Sequence, residues 1–357
     1  MGESETNENL PGRRHFLRTL ALAGASIGVK PLEVAAEELF NPATTKKDEV
    51  SLAQSASSVN SPLESRIDDY VKSKRRSRYL SNTDEISVTV YDIMHDNKLV
   101  SINEDARRMA ASTIKNFVML AVFNQIDAGR IRYNQRVRDQ IMGKDLTVKD
   151  LVESIISYNY DPKGGSRIGN RHTNVLIELL GGPERVSQII RSYGLFSETS
   201  IVETIPPNGR TYNNTTSTHD LNIFYNQIWH SYLPQSVEMR RILGLHKKNG
   251  SRVFNGTCIP DDVLQYTKSG YVYGVNVDSG VLVMRDAQGN PHPYAISIMI
   301  EDKTKPYSRR RIPNWGRRRS ELIRDISEGV YDYLYQTHMG KPYYCRQHKG
   351  SHLGGSQ

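Results

Sequence analysis

The sequence predicts a mixed α/β protein of the α+β kind. Three observations predict it: an early alternating strand pair, a strongly apolar helix directly after it, and a series of sequential antiparallel strands late in the chain. The first strand is Ile86-Ser87-Val88-Thr89-Val90-Tyr91-Asp92, which alternates; His95-Asp96-Asn97-Lys98 turns, and Leu99-Val100-Ser101-Ile102 returns. Phe117, Val118, Leu120, Ala121, Val122 and Ile126 then recur at helix spacing until Gly129 ends the run. Much later come Val263-Leu264-Gln265-Tyr266-Thr267, Gly280-Val281-Leu282-Val283-Met284 and Tyr294-Ala295-Ile296-Ser297-Ile298-Met299-Ile300. The last two are joined by the turn Asp286-Ala287-Gln288-Gly289-Asn290.

Between the strand pair and the apolar helix stands Ser112-Thr113-Ile114-Lys115. Ser112 is therefore expected at a helix N-terminus, where orphan N–H groups and the helix dipole favour developing negative charge. Lys115, three residues on, returns its amine over the same face. A serine alkoxide needs a nearby base and a cationic field, and this spacing supplies both. Alone, S-x-x-K is a weak signal. A second cation, Lys268-Ser269-Gly270, lies on a late strand, and an early helical S-x-x-K with a late K-[ST]-G strand is the pairing found in serine β-lactamases and penicillin-binding proteins.

On these residues the chain, from about Asp69 to Gln336, resembles class A β-lactamases and their penicillin-binding relatives. Ala110-Ala111 ahead of Ser112, Thr147-Val148-Lys149-Asp150-Leu151-Val152-Glu153 and Thr173-Asn174-Val175-Leu176-Ile177-Glu178-Leu179-Leu180-Gly181-Gly182 extend the likeness. The resemblance implies a two-lobed β-lactamase/DD-peptidase fold: an antiparallel sheet flanked by helices, and an all-helical lobe over about residues 113–249, with the active site between. It further implies that Ser112 attacks an amide carbonyl and Lys115 takes its proton. The backbone N–H groups of Ser112 and Tyr271 would form an oxyanion hole. Lys268 and Ser269 would hold a substrate carboxylate, with Gly270 allowing close approach of the backbone. The implied substrate is a β-lactam, with a D-alanyl peptide of cell-wall type as the alternative. No cofactor is implied, and the chain is expected to act as a monomer.

Two family elements depart from the pattern. The S-D-N triplet is absent. Asn170 keeps the asparagine position if an insertion lies around Pro162-Lys163-Gly164-Gly165-Ser166, and an ordinary helix N-cap is the competing reading for it. Ser157, Ser166 and Asn159 are the candidates for supplying or replacing the serine. The deacylating glutamate of E-x-x-L-N corresponds to Glu203, but in Glu203-Thr204-Ile205-Pro206-Pro207-Asn208 the Leu-Asn is replaced. Glu203 is thus either the base that activates the deacylating water or a solvated loop acid.

Arg13-Arg14-His15-Phe16-Leu17 ahead of the short apolar run Leu20–Val29 reads as a twin-arginine export signal, with Val34-Ala35-Ala36 as the cleavage site. Twin-arginine export machinery is then a partner, and the location is periplasmic or extracellular. The expected division is 1–36 signal, 37–66 disordered linker, 67–337 catalytic domain and 338–357 disordered basic tail. No segment is long and apolar enough for a stable membrane span.

The net charge of +8 draws heavily on Arg309-Arg310-Arg311 and Arg317-Arg318-Arg319, read as a solvated loop before the C-terminal helix. No nucleic-acid motif accompanies it, which argues against a nucleic-acid-binding module. A non-catalytic relative acting as a binding module fits the imperfect third and fourth elements; the intact Ser112, Lys115 and Lys268 argue against it. Cys258 and Cys345 are read as free thiols. Cys345-x-x-His348-x-x-x-His352 in the tail would bind metal only adventitiously. No H-E-x-x-H occurs, so metal-dependent hydrolysis is not expected.

Overall fold

The strands that carry the site order into one five-stranded antiparallel sheet. The structure, a computed structural model, describes residues 61–139, 143–157, 166–245, 251–304 and 314–343. The strands β1 (Asp84–Asp92), β2 (Asn97–Ile102), β7 (Leu264–Val272), β8 (Val275–Arg285) and β9 (Pro291–Asp302) lie in the order β2-β1-β9-β8-β7. Two short pairs complete the strand set: β3 (Arg108–Met109) with β6 (Thr215–Thr216), and β4 (Arg136–Asp139) with β5 (Lys144–Thr147).

The continuous apolar runs of β8 and β9 arise because both sheet faces are covered. Val281, Val283, Ala295 and Met299 join one core cluster, and their neighbours Leu282, Met284, Ile296, Ile298 and Ile300 join another. The first cluster is shared with the helical lobe: α2 (Ile114–Asp127), α3 (Val148–Ser157), α4 (Ser166–Leu179), α5 (Pro183–Arg191), α6 (Thr218–Trp229) and α7 (Ser236–Gly244). The second is closed by α1 (Pro62–Arg76) and α8 (Trp315–Met339). Helix α2 is buried on nearly every side, which fits its almost unbroken apolar sequence and makes it the centre of the lobe.

Three expectations about the chain's ends are corrected. The span 37–66 is not linker throughout, because α1 begins at Pro62. Ser61 caps it by accepting from the Glu64 N–H at 3.0 Å, and Pro62 suits the first helical position. The tail does not begin at 338: α8 runs to Met339, and Tyr343 packs on Tyr331 and Tyr335. Arg317, Arg318 and Arg319 lie in α8 rather than in a loop, and Arg319 is buried, paired with Asp84 and set over the Trp315 ring. Cys258 is disulfide-bonded, not a free thiol; the chain's other cysteine, Cys345, lies outside the described residues. The export signal, Asn159, the Pro162–Gly165 insertion, Arg309–Arg311, His348 and His352 also lie outside them. No described helix is long and apolar enough to cross a membrane.

Candidate active site

Ser112 sits in a single 3-10 turn, Ala111–Thr113, that feeds directly into α2. Its lead-in is strained: Ala111 holds φ +45°, a left-handed conformation that costs a non-glycine residue about 1 kcal/mol or more. The turn is held from behind, since the Ala110 N–H donates to Asn214 O at 2.9 Å and Thr113 Oγ1 to Ala110 O at 2.6 Å. Ser112 itself is half-buried. This strained, tied-down turn presents the serine at the helix start that the S-x-x-K spacing predicts.

Lys115 is completely buried, and its Nζ donates to Asn170 Oδ1 at 2.9 Å. Asn170 is the fifth residue of α4, so it is not the N-cap that the competing reading required. The two residues come from different helices, 55 positions apart in sequence, and the lysine stands one helical turn after Ser112.

The edge strand β7 closes the other side. A Cβ built on Gly270 would stand 2.8 Å from the Ser112 backbone N and 3.1 Å from Ala111 Cβ, so only glycine lets the strand come this near. Lys268 and Ser269 precede it, both buried, and Lys268 Nζ donates to Ser269 O at 3.2 Å. Next along is Tyr271, whose side chain is half-exposed, with its ring against the start of α8 at Gly316. The nucleophile helix and this strand are also joined through polar groups. Asn116 Nδ2 donates to Tyr225 Oη at 3.1 Å, and Ser279 Oγ lies 3.4 Å from both Tyr225 Oη and Lys268 O.

Burial pushes the Lys268 ammonium down to about 7; Asp278 opposes that fall and Arg252 adds to it. Asp278, opposite Ser269 in the β7–β8 register, is itself fully buried, and burial pushes its carboxyl up to about 6 against the pull of Arg252. It accepts from the Arg252 N–H, from Ser251 Oγ at 3.2 Å and from the Ser279 N–H at 3.0 Å. Sequence reading missed Asp278 because its role depends on strand register, which no local motif announces.

The Glu203 carboxylate is held inside its own loop. Oε1 accepts from Thr211 Oγ1 at 2.7 Å and from the N–H groups of Tyr212 and Asn213 at 3.3 and 3.4 Å; Oε2 accepts from Asn213 Nδ2 at 2.7 Å. Burial alone would raise its carboxyl, but these donors outweigh burial and hold it below the ordinary carboxylate range. Its carboxylate thus bonds within its own loop and not to Ser112, Lys115 or Asn170. The residue of this loop that α4 does hold is Ile205. Its N–H donates to Asn174 Oδ1 and its carbonyl accepts from Asn174 Nδ2, both at 2.7 Å. Beside it opens a cavity of about 360 Å³, lined by Asn170, Asn174, Arg167, Arg171 and the Ile205-Pro206-Pro207 turn among others, with no carboxylate in its wall among the described residues. Ser157 Oγ donates to Glu153 O at 2.8 Å in the last turn of α3, and Ser166 opens α4.

Residues 62–334 match the model of a family described as a β-lactamase enzyme family. No curated protein matches. Among solved structures, PBP-A is 21% identical with a TM-score of 0.61, covering 78% of this chain and 100% of its own. A PBP-A mutant solved as an acyl-enzyme with penicillin G is 22% identical, with a TM-score of 0.59, and covers 76% and 97%. An ancestral (GNCA) class A β-lactamase is 20% identical, with a TM-score of 0.60, and covers 76% and 99%. At these identities the likeness establishes the fold.

Proposed function

This chain belongs to the β-lactamase enzyme family, and from that premise we propose that it is an exported active-site serine hydrolase acylated on Ser112 by β-lactams. The observation that carries the reading is the Lys115–Asn170 contact one helical turn after a serine that β7 approaches through Gly270. Ser112 Oγ adds to the lactam carbonyl carbon as its proton passes to Lys115 Nζ, which requires the neutral amine. The negative charge that develops on the carbonyl oxygen meets the N–H groups of Ser112 and Tyr271, a pair of donors worth several kcal/mol of barrier. Collapse breaks the C–N bond, the nitrogen takes the proton, and the acyl group remains on Ser112. Lys268 and Ser269 hold the carboxylate of the substrate. The disulfide at Cys258 supports export, since such bonds persist in oxidising compartments.

A specific observation favours the alternative, a peptidase-like enzyme on D-alanyl peptides whose acyl-enzyme is long-lived. Release of the acyl group needs a base beside the ester, and Glu203 spends its carboxylate inside its own loop. The intact mass of the protein is followed after mixing with a penicillin, alongside Ser112→Ala. A transient adduct with penicillin consumed in excess means turnover. A persistent adduct on the parent alone means the peptidase-like enzyme. No adduct with several β-lactam classes would falsify acylation on Ser112.

A further inference from the structure

Imidazoles and carboxylates gather around the end of β1, with two strands of the sheet between it and β7. Asp92 ends β1, His95 lies in the β1–β2 turn, His292 opens β9, and His338 stands in the last turn of α8. Asp92 Oδ2 is 2.9 Å from His95 Nδ1 and 3.2 Å from His338 Nε2. Its other oxygen, Oδ1, accepts the backbone N–H groups of Met94 and His95 at 3.1 and 3.3 Å. The turn therefore fixes the carboxylate and leaves Oδ2 to the imidazoles. The rings of His95 and His338 stack at 4.9 Å and 11°, and His292 lies 4.8 Å from His338. The Nδ1 of His292 is buried and has no hydrogen-bond partner, while its Nε2 faces Asp286 Oδ2 at 3.4 Å.

We propose that Asp92, His95 and His338 bind a divalent transition metal of the Zn²⁺ class, with His292 packed behind them. One ligand atom from each of the three lies within 4.8 Å of the others. Two imidazole nitrogens aimed at one carboxylate oxygen need something positive between them, either two protons or one cation. A tetrahedral ion about 2.0–2.1 Å from its nitrogen and oxygen donors sets those donors roughly 3.4 Å apart. The distances of 2.9 and 3.2 Å are near that, so small side-chain rotations complete the geometry. Two imidazoles and one carboxylate suit Zn²⁺, Cu²⁺ or Ni²⁺ rather than Mg²⁺ or Ca²⁺. The side chain of His95 is 55% exposed, which gives the ion an entry path and solvent a fourth position. The C-terminal end of α8 adds partial negative charge. The ion fastens the end of α8 to the β1–β2 turn. It is separate from the cleft, because β1 and β7 are separated by β9 and β8.

The test is calorimetric titration of the chelator-stripped, untagged full-length protein with ZnCl₂, followed by visible absorption of the Co²⁺-loaded protein. The expected result is one ion per chain, tetrahedral Co²⁺ bands, a raised melting temperature, and at least about tenfold weaker binding in His95→Ala. His95 is exposed enough for that variant to fold. His348 and His352 near the C-terminus are competing ligands, so His348→Ala/His352→Ala is expected to bind as the parent does. Unchanged affinity in His95→Ala, loss of binding in the tail variant, or no saturable binding by the parent each overturns the proposal.

Discussion

Gly270→Ala is the sharpest test of how the cleft is built. The added methyl would stand 2.7 Å from Val277 Cγ1, 2.8 Å from the Ser112 backbone N and 3.1 Å from Ala111 Cβ. Ordinary contacts of this kind lie at about 3.5 Å or more. The strand or the nucleophile turn must therefore retreat by roughly 0.7 Å or more, by difference from that contact distance. Val277 can turn its side chain aside. The backbone of Ser112 cannot yield so easily, because Ala111 already holds φ +45°. Overpacking of this sort costs about 1–3 kcal/mol of stability. A displacement approaching 1 Å between the oxyanion donors and the serine costs about 100-fold in rate. The expected outcome is thus an acylation rate constant for penicillin reduced by about 100-fold, with a melting temperature lower by only about 2–4 °C per kcal/mol lost. Time-resolved intact mass measures the first and a thermal melt the second. Gly244→Ala, whose methyl meets nothing nearer than 3.7 Å, is the control and should change neither. A Gly270→Ala protein that acylates as fast as the parent would show that the close approach of β7 does not position Ser112.

Three further outcomes are expected. With Lys268 titrating at about 7, its charge is lost as pH rises through that value, so kinact/KI-type acylation by a carboxylate-bearing penicillin should fall above neutrality and Lys268→Arg should abolish that limb. A flat profile in the parent contradicts it. The unfolded lysine keeps its proton to about 10.4, so this group makes folding more favourable as pH rises between those two values, which urea titrations at pH 7 and 10 can follow. Asp278→Ala should cost about 3–5 kcal/mol in urea unfolding, because it strips the partner from Arg252 and orphans a buried and a part-buried N–H group; a loss under about 1 kcal/mol would mean that solvent already reaches the pair. Glu203→Gln should leave the acyl-enzyme lifetime, read by time-resolved intact mass, within about twofold, whereas loss of a true general base lengthens it by about 100-fold or more.

The legible parts of this chain were those in which local pattern and tertiary role coincide. The apolar runs of β8 and β9 announce strands covered on both faces, and Ser112 to Lys115 announces a helix start. Only the first turn of α1 lies inside the expected linker, because Asn41–Ser65 is rich in Ser, Thr, Ala, Asn and Lys without periodicity, although Leu63 falls at helical spacing with Ile67, Tyr70 and Val71. Arg317–Arg319 read as a solvated charge run because nothing local points to Asp84, more than 200 residues away, as the partner of Arg319. The strain at Ala111, the Asn174–Ile205 clamp and the place of Asp278 beneath Ser269 all depend on register or on meetings between distant loops.

The loop that carries Glu203 shows why a motif match differs from a working base. Its backbone is pinned twice, by Asn174 at Ile205 and by Asn214 Oδ1 accepting the N–H groups of Val202 and Glu203 at 2.9 and 3.1 Å. With the ends fixed, the Glu203 carboxylate fills the gap between them through four donors. Only if reaching a water at the ester turns the carboxylate out of its loop are at least the two short bonds lost. Hydrogen bonds to a charged group contribute about 1.5–3 kcal/mol each, so the release costs roughly 3–6 kcal/mol. General base catalysis contributes about 100- to 10,000-fold, which is roughly 3–5 kcal/mol of barrier. The two quantities are of similar size. On the proposed reading, the bonds that tie the Glu203 carboxylate to Thr211 and Asn213 offset most of what it could contribute as a base, which is why Glu203→Gln is expected to change the acyl-enzyme lifetime little.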